Sequence, residues 1–165
     1  MKLSYIQTGE SGPPLVILHG LFGSARNWQS IAKHLASHYT VYALDLRNHG
    51  SSPHAVTMSY QEMAGDVIDF LDDQQLTDPV VLGHSMGGKV AMRLALNCPG
   101  RVSKLVVVDI APVTYKHDFN DILQGLFNIP LDNITSRKEA DEYLANTKPS
   151  SIFTSKFNAN IYQWL

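Results

Sequence analysis

The stretch Gly83-His84-Ser85-Met86-Gly87-Gly88 constrains this chain more than any other. It directly follows the apolar run Pro79 to Leu82. It opens a stripe of Gly87, Val90, Ala91, Leu94 and Ala95 at one-face helical spacing, which Pro99-Gly100 ends. A strand that turns at once into a helix forces strained backbone angles on its pivot, and glycines two residues to either side let strand and helix approach closely. Ser85 occupies the pivot, with Gly83 and Gly87 beside it. Its hydroxyl is expected above the sheet at a helix N-terminus, where partial positive charge favours a developing anion. A bare G-x-S-x-G pattern is common by chance and also fits a plain turn with a small residue. The strand before it and the helix after it give it the context of a nucleophile elbow.

The rest of the chain supplies more of the same alternation. Pro14 to Leu18, Thr40 to Leu44 and Lys104 to Val108 are apolar runs with little polar alternation and, with Pro79 to Leu82, read as buried parallel strands. Leu3 to Gln7 alternates and reads as an edge strand. Trp28, Ile31, Ala32 and Leu35 share one helical face, as do Met63, Val67, Phe70 and Leu71, the latter helix opened by a Ser59–Glu62 capping box. Strands alternating with helices predict a parallel sheet with right-handed crossovers. After Pro112 only helical signals remain: Asp118 to Phe127, a stretch begun by the Ser136–Glu139 box, and Phe153, Phe157, Ile161 and Trp164 beyond the break at Lys148 to Ser151. The expected architecture is a doubly wound, mostly parallel α/β core over residues 1–112 and the start of a helical cap over 113–165.

Charge and composition narrow the partners. Thirteen Lys and Arg stand against 15 Asp and Glu, a formal charge of -2, so nothing steers the chain toward nucleic acid or an anionic membrane. The single cysteine, Cys98, cannot form an internal disulfide, the N-terminus lacks a signal-peptide pattern, and the apolar runs are too short to span a bilayer. Together they predict a cytoplasmic protein. No Walker loop, dinucleotide fingerprint or H-E-x-x-H is present, so no cofactor or metal is implied. His34 and His38 have i, i+4 spacing but read as a solvated helix edge. Asp66, Asp69, Asp72 and Asp73 read as solubilising carboxylates around a solvent-facing helix.

Three loops carry a resemblance. The elbow, His19-Gly20-Leu21-Phe22-Gly23 after the strand Leu15 to Leu18, and Asp45-Leu46-Arg47-Asn48-His49-Gly50-Ser51-Ser52, of the form D-x-R-x-x-G-x-S, together resemble the α/β-hydrolase superfamily. The resemblance implies that Ser85 is the nucleophile and that the amides of Leu21 and Met86 form the oxyanion hole, with Phe22 the less favoured donor. It gives the Asp45–Ser52 loop a structural role, its Asp and Arg pinning it by charge-assisted hydrogen bonds. Asp45 as catalytic acid is the weaker alternative, because it lies on the wrong side of the nucleophile strand.

Asp109 ends the strand Lys104 to Val108 at the carboxyl edge of the sheet, where open α/β folds place their ligands. The string Val108-Asp109-Ile110-Ala111-Pro112 resembles a bacterial cytoplasmic carboxylesterase and acyl-CoA thioesterase branch, which implies Asp109 as the triad acid. The other reading is a strand-end Asp that caps its own turn. The seven histidines are His19, His34, His38, His49, His54, His84 and His117, and none follows a final strand as the family's base does. His84 abuts the nucleophile, but neighbours on a turn point apart, which favours a structural role.

The chain ends Ile161-Tyr162-Gln163-Trp164-Leu165, still inside an apolar helical pattern. The expectation is the N-terminal part of a larger hydrolase, with its catalytic histidine beyond residue 165 and an exposed sheet edge prone to self-association. The implied function is a serine hydrolase acting on a small-molecule ester or thioester. Serine at the elbow argues against the dehalogenase and epoxide-hydrolase relatives, which use a carboxylate there. Amide or C–C bond hydrolysis, or a non-catalytic fragment, are the alternatives. Phe119, Ile122, Leu126 and Phe127 fit either an apolar acyl site or cap packing.

Overall fold

The computed structural model describes residues 1–113, 125 and 127–146. The chain divides into two compact units, Met1–Pro112 and Val113–Leu165.

Unit one is a five-stranded sheet in the order β1-β3-β2-β4-β5. Its strands are β1 (Tyr5–Thr8), β2 (Pro14–Leu18), β3 (Thr40–Leu44), β4 (Val80–His84) and β5 (Lys104–Val108). All neighbours pair in parallel except β1, which runs antiparallel along β3 with Tyr5 opposite Leu44. The mostly parallel α/β architecture is the one expected from the sequence. Two boundaries differ. The edge strand begins at Tyr5 rather than Leu3, because Leu3 is drawn into the core at 5% exposure. β4 continues through Gly83 and His84, because the ladder to β5 continues, with Gly83 opposite Val107 and His84 opposite Val108.

A 3-10 turn, Ala25–Trp28, leads into α1 (Gln29–Leu35); α2 is Tyr60–Asp73 and α3 is Met86–Asn97. The face of α1 is narrower than its spacing predicts: Ala32 is buried, while Ile31 lies exposed. The Ser59–Glu62 capping box forms in both directions, Glu62 N–H donating to Ser59 Oγ and Ser59 N–H to Glu62 Oε2. Thr57 and Ser59 hydrogen-bond the Glu62 carboxylate and lower its pKa to about 2. Val16, Leu18, Leu44, Leu46 and Val81 form one buried cluster with Met63, Val67, Phe70 and Leu71 of α2 and Val90, Ala91 and Leu94 of α3.

Two readings of the sequence need correction here. Asp66 does not solubilise α2. It is buried and accepts from Arg47 Nε at 2.6 Å and Nη2 at 2.9 Å, a bidentate pair. Asp69, Asp72 and Asp73 do face solvent. The run Lys104 to Val108 is a strand, but not a buried one. Among the described residues it pairs with β4 alone, and Leu105, Val106 and Val108 are about 40% exposed.

In unit two the described elements are a 3-10 turn, Leu131–Asn133, and α4 (Arg137–Asn146). The predicted box is redistributed: Glu139 N–H donates to Ser136 Oγ at 3.3 Å, but its carboxylate accepts from Thr135 N–H at 2.9 Å. Of the predicted helix Asp118 to Phe127, Gly125 and Phe127 are described and helical. Its remainder, the acyl-site candidates Phe119, Ile122 and Leu126, and the Phe153–Trp164 stretch lie outside the described residues. Among the described residues no helix is long and apolar enough to cross a membrane.

Candidate active site

Ser85 stands between β4 and α3 with φ 51 and ψ -114, a left-handed conformation rare for a residue with a side chain. The geometry around it explains why the strain is held. Its N–H donates to Val108 O at 3.0 Å, tying the turn to the end of β5. A Cβ at Gly87 would press into the carbonyl oxygens of Leu18 and His19, and one at Gly83 into the backbone of Gly87 and Gly88. Only glycine at both positions lets α3 sit this close to β2 and β4.

The loop after β2 meets the turn from the other side. A Cβ at Gly20 would lie 2.9 Å from His84 Nδ1 and 3.3 Å from Ser85 Cβ, so Gly20 backs directly onto the serine. Met86 N–H is the first of α3 and has no intrahelical partner. Leu21 N–H likewise makes no hydrogen bond among the described residues, whereas Phe22 N–H donates to His49 Nε2 at 3.3 Å. Phe22 is itself left-handed at φ 61.

Two histidines brace this loop, both with defined tautomers. His19 is 1% exposed; its Nε2 accepts from Leu46 N–H at 3.0 Å, so its Nδ1 carries the proton toward Gly20 O at 2.7 Å. Burial lowers its pKa to about 4. His49 repeats the pattern, accepting from Phe22 and donating from Nδ1 to Arg47 O at 2.9 Å. The two rings lie 5.0 Å apart.

The Asp45–Ser52 loop is pinned as its residue types predict. The Asp45 carboxylate accepts from Ala25 N–H at 2.6 Å and Ser51 N–H at 2.9 Å, so one side chain fixes both this loop and the end of the His19–Gly23 loop. Gly50, at φ 53, lies against that carboxylate where no Cβ would fit. Arg47 ties the loop to α2 through Asp66 and also donates to Thr57 O. Asp66 raises the Arg47 pKa further.

Asp109 follows β5 at φ 56, with its side chain 84% exposed and Oδ2 3.8 Å from His84 Nε2. Burial lowers the His84 pKa, and the Asp109 carboxylate pulls it partly back. Lys89, one turn into α3, donates to Ala111 O at 2.8 Å and so anchors the segment after Asp109. His34 lies exposed on α1, bonded to Ser30 O, and His38 is exposed beyond the helix end. His117 lies outside the described residues. Among the described residues no three His, Cys, Asp or Glu side chains are grouped to hold a metal.

The structure thus brings Ser85, Met86 and the Gly20–Leu21 segment together and puts Asp109 at the end of the neighbouring strand. Sequence reasoning missed the bracing pairs His19–Leu46 and His49–Phe22 and the anchor Lys89. A lysine in a helix's first turn, against the macrodipole, was the available signal for the last.

A strained serine between a parallel strand and a helix, backed by a glycine loop from the adjacent strand, defines an α/β-hydrolase core. The model of the alpha/beta hydrolase fold family matches residues 13–142, and the chain belongs to that family. The chain is 42% identical over 158 residues to a Saccharomyces cerevisiae protein named "Probable alcohol acetyltransferase", covering 88% of this chain and 46% of that one. It is 45% identical over 150 residues to the sn-1-specific diacylglycerol lipase ABHD11 of Xenopus laevis, covering 86% and 48%. A solved "Marine microorganism esterase" superposes with a TM-score of 0.82 at 43% identity, covering 90% of this chain and 59% of the other. The chain spans about half the length of the curated relatives it matches.

Proposed function

We propose that the complete protein is a serine hydrolase that cleaves carboxylic esters, and acyl thioesters by the same chemistry, through an acyl-enzyme on Ser85. The strained Ser85 turn, facing a loop with an uncommitted amide, carries this reading. Ser85 Oγ attacks the acyl carbon and passes its proton to a histidine outside these residues, whose ring N–H Asp109 accepts. The tetrahedral oxyanion takes hydrogen bonds from Leu21 and Met86 N–H. Collapse expels the alcohol or thiol, which leaves with the histidine's proton. Water then adds by the same route, releases the acid and restores Ser85. The names of the diacylglycerol lipase and esterase relatives support an acyl-ester substrate.

The acetyltransferase name of the yeast relative favours a second reading, in which an alcohol rather than water takes the acyl group. The test is release of nitrophenol from short-chain nitrophenyl esters by the complete protein, with and without added alcohol. Ser85→Ala should remove the release while leaving the fold intact; more than a trace of remaining turnover refutes the nucleophile. Asp109→Asn should lose on the order of 10⁴-fold in turnover, the loss seen in the Ser-His-Asp template for a missing acid. A near-normal rate would reduce Asp109 to a turn cap.

A further inference from the structure

We infer that His49 is a positioning residue for the oxyanion hole, holding the Leu21 amide in its working orientation by accepting the next amide, Phe22 N–H. This rests on the proposed function.

Three observations converge on it. Phe22 adopts φ 61, a conformation strained for a side-chain-bearing residue that persists only where its surroundings hold it. The interaction shown at that residue's N–H is with His49 Nε2, at 3.3 Å. Leu21 N–H lies in the Gly20–Leu21 peptide plane, whose carbonyl accepts from His19 Nδ1 at 2.7 Å and Gly23 N–H at 3.0 Å, and the His49 contact pins the Leu21–Phe22 plane on the other side of the same Cα, so that Leu21 cannot pivot between them. His49 is in turn fixed, because Nδ1 donates to Arg47 O at 2.9 Å and Arg47 is bound bidentately to buried Asp66. An oxyanion donor must be aimed before charge develops, since its value lies in avoiding reorganisation during the reaction. The Gly23-to-Gly20 hydrogen bond closes the turn at its ends but leaves the central Leu21–Phe22 plane able to flip, and the His49 contact is what holds that plane.

His49→Gln and His49→Asn, made in the complete protein, separate this from packing. The glutamine oxygen can take the place of Nε2 and accept from Phe22. The shorter asparagine can keep the Arg47 contact but cannot reach Phe22. The expected result is a kcat roughly 10- to 100-fold lower for Asn with KM within about threefold, and Gln close to wild type, since losing one oxyanion donor outright costs about 10²–10³. Affinity for a trifluoromethyl ketone, which forms a tetrahedral oxyanion on serine, should fall in parallel with kcat/KM for Asn and not for Gln. Equal losses in both variants, or an Asn variant with wild-type turnover and ketone affinity, would overturn the assignment. Amide exchange at Phe22 provides a readout independent of turnover: it should quicken in Asn and stay slow in Gln, and equal rates also overturn it. Retained turnover in Ser85→Ala would instead overturn the proposed function, so the two failures are distinguishable.

Discussion

His19 shows how one buried ring couples the site to pH. It is held neutral with both nitrogens bonded, and burial lowers its pKa from 6.5 to about 4. Between those values the unfolded chain takes up a proton that the folded chain refuses. Stability is therefore full above pH 6.5 and falls as pH drops toward 4. The shift allows a loss of up to ~3 kcal/mol from this residue. Urea denaturation at a series of pH values should show that decline in the wild type. In His19→Gln, which has no group titrating there, the decline should be flatter; an unchanged slope would assign it elsewhere.

Between elements, the buried Arg47–Asp66 pair joins the Asp45–Ser52 loop to α2. Removing one partner of a buried pair costs about 3–5 kcal/mol when the other charge is left uncompensated; Glu62 Oε1, 3.2 Å from Arg47 Nη1, stays in place here and offsets part of that loss. Asp66→Ala should therefore destabilise strongly, while Asp73→Ala on the solvent side of the same helix should stay within about 0.5 kcal/mol. Thermal and denaturant unfolding of the two variants checks the contrast. Helical spacing could not separate these two aspartates by itself. Their difference came from Arg47, nineteen residues upstream, whose partner depends on how the loop folds back on α2.

At the scale of the whole molecule, β5 leaves Leu105, Val106 and Val108 exposed on a strand that, among the described residues, pairs only with β4. An apolar edge with unpaired backbone groups is a template for pairing with another chain. The 165-residue chain by itself is expected to associate and to lack esterase turnover. Sedimentation velocity should show species larger than the monomer, and Val106→Lys should shift them toward it. A monodisperse wild-type monomer would remove the edge argument. Robust turnover in that monomer would bring the base inside the chain. The base would then be sought among His19, His49 and His84.

The alternation of apolar runs with helical stripes determined the parallel α/β sheet, and the Gly83–Gly88 motif determined where its serine stands, because both depend on local periodicity and on where a Cβ can fit. The same holds for the Ser59–Glu62 cap, a contact three residues long. Only the tertiary structure decided that Asp66 is buried with Arg47, that His49 accepts from Phe22 and that Gly20 backs onto Ser85. Each of these joins residues far apart in the chain, so its energy depends on a distance that no local pattern encodes.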